Sequence, residues 1–417
     1  MSAFLVWLIA AGTIAGILFR PRQWPEAVWA CLGAALLVLC RLLPPEAAWR
    51  AIGKGTDVYL FLAGMMLLAE LARSEGVFDW FASHAVRASR GSRTRLFLLV
   101  YGVGILVTVF LSNDATAVVL TPAVYAAVRK ARADALPYLL SCAFIANAAS
   151  FVLPISNPAN LVVYGRQLPA LIPWLKLFLL PSLVSIVVTF IVLRLLSKEA
   201  LKGEVAHDVE VPELSGGGRR AAWGLGAAAG VLLTASALGL DLGLPTFLAA
   251  TAAVLAATRG ARKSITVVVR DVSWSVLPMV AGLFVLVEAL DGAGALRGFG
   301  VALRACAALP PVAGSLAASF GVGILSNLMN NLPSGLLAGS ALQAGHFPEH
   351  IRHAILIGVD LGPNLSVTGS LATVLWLIAL RREGEHVSAW TFLKAGACVM
   401  PPALLLATAA SHHSGTL

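Results

Sequence analysis

Apolar runs of about 17–25 residues recur along nearly the whole chain, each long enough to cross a hydrocarbon core of roughly 30 Å. A large soluble core would need helices with polar faces, and these runs lack them. Charged residues make up 12% of the 417 and hydrophobic ones 59%, whereas a soluble domain carries about a quarter charged residues. The expectation is an all-α polytopic membrane protein. The first run, Phe4 to Phe19, has no basic residue before it and no small-residue cleavage site after it, so it reads as a span and not as a cleavable leader.

The net charge of +9 does not point to nucleic acid. Its basic residues lie in short clusters between spans, the bias of cytoplasmic loops and not a continuous basic face. Cys31, Cys40, Cys142, Cys306 and Cys398 are scattered singly, which argues against disulfides and against a thiolate metal cluster. No GxxxxGK[ST] occurs, so no P-loop is expected, and no HExxH or nucleophile–base pair suggests an enzyme. No cofactor is expected. An ion gradient or a separate ATPase must supply the energy.

Residues 197–219 form the one long polar stretch and read as a cytoplasmic linker between two halves, 1–196 and 220–417. Asp57-Val58 and Met65 recur as Asp271-Val272 and Met279, and Leu111-Ser112-Asn113 recurs as Leu325-Ser326-Asn327, all at one offset of 214 residues. Arg93 and Arg95 precede the run Leu96 to Leu111, and Arg129, Lys130 and Arg132 follow the run Ala115 to Val128. Both outer ends are basic and therefore cytoplasmic. This makes 95–130 a re-entrant hairpin, with 309–343 as its repeat. Ten crossings remain, near 3–19, 25–41, 57–73, 136–167, 172–196, 220–240, 244–258, 270–290, 351–380 and 389–411. Five per half inverts the second half, and that topology puts 22 of the 30 Lys and Arg on the cytoplasmic side.

Two spans are interrupted. Leu153 to Asn160 holds Pro154 and Pro158 with Asn157 and Asn160; Gly362-Pro363-Asn364 and Thr368-Gly369-Ser370 break the other. Proline removes a backbone donor and clashes with the preceding turn, so both helices should unwind. Broken helices at matching places in two inverted halves point to a midplane site. Glu70, Asp114, Glu288 and Asp360 are the intramembrane carboxylates. Asp114 lies at a hairpin tip and Asp360 just before a break, whereas Glu70 and Glu288 lie near span ends and read as structural.

Around these acids gather amides and hydroxyls: Asn113, Thr116, Asn147, Ser156, Asn157, Asn160, Ser326, Asn327, Asn330, Asn331, Asn364, Ser366, Thr368, Ser370 and Thr373, with Gly369 among them. No Arg or Lys lies near them in sequence, so a neutral polyhydroxy solute or a small cation fits better than a carboxylate or phosphate.

The stretches Leu111 to Pro122, Ile155 to Asn160, Met329 to Pro333 and Gly362 to Thr373 resemble the arsenical pump membrane protein (ArsB) family of the ion transporter superfamily. That resemblance implies efflux of arsenite and antimonite in exchange for protons across a bacterial cell membrane, sometimes beside a soluble ATPase subunit. Arsenite at neutral pH is an uncharged trihydroxide, whose hydroxyls match amides and hydroxyls as both donors and acceptors. Asp114 and Asp360 would carry the proton. The substrate-binding set would be Asn113, Thr116, Ser156, Asn157, Asn160, Ser326, Asn327, Asn330, Asn331, Asn364, Thr368, Gly369 and Ser370. A sodium/proton antiporter and a passive channel for neutral solutes are the alternatives.

Overall fold

The computed structural model describes residues 2–206, 211–258 and 265–414. Asp208 and Glu210 of the polar stretch, and Arg259, Arg262 and Lys263 of the charge count, lie outside the described residues. The chain is an all-α polytopic membrane protein with no strand among the described residues. The first half runs α1 (Ser2–Phe19), α2 (Glu26–Leu39), α3 (Pro45–Lys54), α4 (Thr56–Ser74), α5 (Val77–Ala88), α6 (Arg93–Phe110), α7 (Asn113–Ala115), α8 (Thr121–Lys130), α9 (Leu136–Ala148), α10 (Pro158–Tyr164) and α11 (Leu171–Leu196). The second half runs α12 (Gly216–Ala237), α13 (Gly243–Thr258), α14 (Ile265–Asp271), α15 (Val276–Gly292), α16 (Ala295–Ala307), α17 (Pro311–Met329), α18 (Asn331–Ala344), α19 (Glu349–Leu361), α20 (Leu371–Arg382) and α21 (Ala389–Ala410).

Spanning is shared among helices more than the sequence suggests. Five stretches among the described residues are long and apolar enough to cross alone, 93–110, 171–196, 265–292, 311–329 and 389–410, and the bent pair α3 and α4 adds a sixth. The helices at 3–19, 26–39, 136–148 and 243–258 are apolar but shorter. Two of the five long stretches are the first limbs of the hairpins. The expected crossings at 136–167 and 351–380 are each divided into two helices: α9 ends at Ala148, six residues before Pro154, whereas Pro363 stands two residues past α19 and has no N–H to offer Val359 O.

Bonds between helix ends define two faces. On one, Val205 N donates to Gly91 O (2.8 Å), Ala206 N to Ala131 O (2.9 Å), Tyr138 Oη to Arg93 O (3.2 Å) and Tyr125 Oη to Glu385 Oε1 (3.1 Å). On the other, Gly243 N donates to Asp57 Oδ1 (2.7 Å), Ser315 Oγ to His350 O (3.3 Å) and Arg352 Nη1 to Gln167 Oε1 (2.7 Å). The α6–α8 hairpin has both feet, Gly91 and Ala131, on the basic face. The α17–α18 hairpin opens the other way: α17 starts beside His350, and α18 ends against Val162 and Val163 of α10.

The tip of the first hairpin meets the first break. α6 rises about 27 Å and α9 about 20 Å from the same face, and the α6 tip meets the break after α9 where Ser156 Oγ donates to Val109 O (3.0 Å). The half-helix α10 continues beyond that point. Trp174 Nε1 supplies a donor to the unwound Phe151 O (3.1 Å), closing an open carbonyl at the break.

The polar stretch is more structured than a solvated linker. Leu201 and Val205 are buried, and Arg93 donates to the carbonyls of Ala200 and Glu204 at 3.2 Å each. Gly216-Gly217-Gly218 is the first turn of α12, begun by Ser215, whose hydroxyl accepts from Gly218 N (2.9 Å). Two of the four intramembrane acids are paired. Glu70 takes a two-pronged bond from Arg73 (2.8 and 2.5 Å), and Glu288 pairs with Lys54 (2.7 Å) across the two halves.

Candidate functional site

Each hairpin turns at a capped helix start. At the first tip Ser112 Oγ accepts from Ala115 N (3.1 Å) and Asn113 Oδ1 from Asp114 N (2.9 Å). At the second tip Asn330 Oδ1 accepts from Leu332 N (3.3 Å), and its backbone stands at φ +77°. A non-glycine residue rarely enters that region, and the turn stores strain there. In both hairpins a pair of hydroxyls eight residues apart bolts the limbs together: Thr108 to Thr116 (2.8 Å) and Ser326 to Ser334 (2.7 Å).

These bolts and caps correct the repeat register. Thr108, Ser112, Asn113 and Thr116 correspond to Ser326, Asn330, Asn331 and Ser334, an offset of 218 and not 214. Ser326 and Asn327 therefore lie in the last turn of α17 and not at its tip. The matching Leu-Ser-Asn triplets occupy different places, and Asp114 corresponds to Leu332. The sequence reading missed Thr108 and Ser334, although the hydroxyl pair spaced by eight was there in both hairpins.

Beyond the first tip the helix widens into a π turn over Thr116–Leu120. Pro122 has no N–H to offer Val118 O, and the wider turn absorbs the mismatch while Thr121 Oγ1 donates to Thr116 O (3.0 Å). Asp114 precedes this turn. Its side chain is half-buried and has no hydrogen-bond or ion-pair partner among the described residues.

The breaks hold the rest. Asp360 is fully buried, its Oδ1 accepts from Asn157 Nδ2 (2.6 Å), and the Ser150 hydroxyl stands beside the same carboxyl. Asn157 also caps α10 by accepting from Ala159 N (3.0 Å). Across from it, Asn147 Nδ2 donates to Asn364 Oδ1 (3.0 Å) and reaches Thr373 Oγ1 (3.5 Å). Ser370 caps α20 and shares a bond with Thr373 (2.8 Å). Asn327 bridges hairpin and break, donating to Gly323 O (2.7 Å) and Gly362 O (2.9 Å) while its Oδ1 accepts from Ser366 Oγ (2.7 Å). Thr368 Oγ1 donates to Asn327 O (2.9 Å). A Cβ on Gly362 would collide with Gly323, and one on Gly369 would meet Pro363 and Asn327 Oδ1, so both glycines are required by close approach.

The predicted binding residues thus divide in two. Thr116, Ser156, Asn160 and Ser326 are committed to internal bonds, Asn160 Nδ2 alone serving three break carbonyls at 3.0–3.3 Å. Asp114, Asn327, Ser366 and Thr368 keep partly open side chains, whereas Asn113, Asn157, Asn330, Asn331, Asn364 and Ser370 are buried. Four helix starts, α7, α10, α18 and α20, arise at the tips and breaks, each capped by its own side chain. No Arg or Lys makes a hydrogen bond to these residues among the described ones.

A family model described as CitMHS, citrate transporter, matches residues 6–358. The arsenical pump membrane protein of Escherichia coli K12 is 26% identical over 95% of this chain and 96% of its own length. That of Yersinia enterocolitica is 26% identical over 98% and 97%. The crystal structure of the Alcanivorax borkumensis YdaH transporter shares the fold, with a TM-score of 0.54 over 88% of this chain and 86% of that one at 16% identity.

Proposed function

The chain belongs to the citrate transporter (CitMHS) family, and we propose that within it this chain exports arsenite and antimonite, as neutral trihydroxides, in exchange for protons. It is a membrane transporter. One observation carries the choice of cargo: the tips and breaks offer amides, hydroxyls and two carboxyl groups, with no cationic side chain among the described residues bonded to them. A trihydroxide both donates and accepts, and amides and hydroxyls do the same. The names of the full-length relatives support this cargo.

In this reading Asn327, Ser366 and Thr368, the open polar groups, meet the substrate first, and Asn113, Asn157, Asn330, Asn331, Asn364, Gly369 and Ser370 complete the cradle as it closes. Asp114 and Asp360 take up and release the proton. Hairpins entering from opposite faces give each side of the membrane its own gate. The two halves, 1–196 and 220–417, then work as inverted repeats joined through 197–219, in a bacterial cell membrane.

A second reading has one specific observation behind it. Four helix starts bring partial positive charge to the site, which suits a carboxylate anion such as the family's citrate. Everted vesicles with an imposed pH gradient separate the readings. Accumulation of arsenite or antimonite against its gradient is the expected result. Accumulation of citrate and no metalloid would replace the reading with the second one, and dequenching by Na⁺ alone would mark a sodium/proton antiporter.

A further inference from the structure

The two broken spans are built to one measure. α9 and α19 each have 13 residues, and each is followed by nine residues to the cap of the next half-helix, Asn157 or Ser370. Asn147 and Asp360 each stand ten residues before that cap, one from the end of their helix. Both are fully buried. Each reaches into the opposite break: Asp360 accepts from the cap Asn157 (2.6 Å), and Asn147 lies against Asn364 and Thr373 of the second break. Asn147 Oδ1 is left without a partner, and the Asp360 carboxyl, beyond Asn157, has only the Ser150 hydroxyl beside it.

We propose that positions 147 and 360 are two equivalent proton positions of one device, and that the amide at Asn147 blocks one of them. Asn and Asp are nearly isosteric, but a carboxyl group can take or lose a proton where an amide cannot. Asn147 therefore positions the second break and holds the number of protons moved per cycle below what the architecture could carry. This rests on the proton-coupled reading above.

The test is a charge swap in vesicles, with the proton-to-arsenite ratio read from how far accumulation follows an imposed pH gradient. Asp360→Asn is expected to lose pH-driven accumulation by about a hundredfold. The double variant Asn147→Asp with Asp360→Asn should recover to within about tenfold of wild type, because the acid has moved to the equivalent place. Asn147→Asp alone should raise the proton-to-arsenite ratio. An Asn147→Asp protein that transports at an unchanged ratio, or a double variant no better than Asp360→Asn, would overturn the proposal. If Asn147→Asp does not insert, Asn147→Ser decides: it should lower the transport rate and keep the wild-type ratio, and a changed ratio would refute the idea. A wild-type protein that moves no arsenite is a separate outcome, which removes the proton-coupled reading itself.

Discussion

The two hairpin tips share a design and differ in what they hold. Both are bolted by hydroxyls eight residues apart and both are capped at a helix start. The first places an unpartnered carboxylate, Asp114, just inside the cap, and the second has Leu332 there. The second instead holds backbone strain at Asn330, where the first has the extended Ser112. A repeated scaffold can thus divide its work. One copy carries the ionisable group, and the other carries a turn poised to relax.

The largest effect should come from removing the acid. Asp114→Asn is expected to lower pH-driven transport about a hundredfold with membrane insertion unchanged, whereas Leu332→Asn at the matching place should lower it far less. Equal losses would erase the distinction between the tips. Gly362→Ala comes next: its new methyl meets Gly323, and overpacking of this kind costs about 1–3 kcal/mol. Thermal unfolding in detergent should show a clear fall in midpoint. Asn160→Ala leaves three break carbonyls without their shared donor and should cost about 1–3 kcal/mol. An unchanged midpoint would mean that water serves those carbonyls instead. The smallest effect separates the tips again. Asn330→Gly relieves a positive φ and should stabilise by up to about 1 kcal/mol, whereas Ser112→Gly, at an extended position, should gain nothing.

Much of this was legible in the sequence, because polar and proline residues inside apolar runs have few uses other than breaks and tips. The hairpins and the interrupted spans followed from that contrast. Register was not legible. Leu-Ser-Asn occurs twice by composition, and only the bolts and caps show that the triplets occupy different turns. Nor was it visible which amides were committed: Asn160 and Asn327 look alike in sequence, yet one serves its own broken turn and the other spans hairpin and break. The short helices α3, α5, α14 and α16 were also hidden between spans, since their charged faces read as loop.

The strap at the basic face has its own consequence. Consecutive residues Val205 and Ala206 hold Gly91 and Ala131, one foot of the first hairpin each. A pair of tongs clasped at the handles cannot part there. The first hairpin must therefore swing as one rigid lever or yield at its jaws, where Asp114 sits beside a widened turn. The clasp lies in the chain that follows α11, so the polar stretch after that helix is tied to this lever.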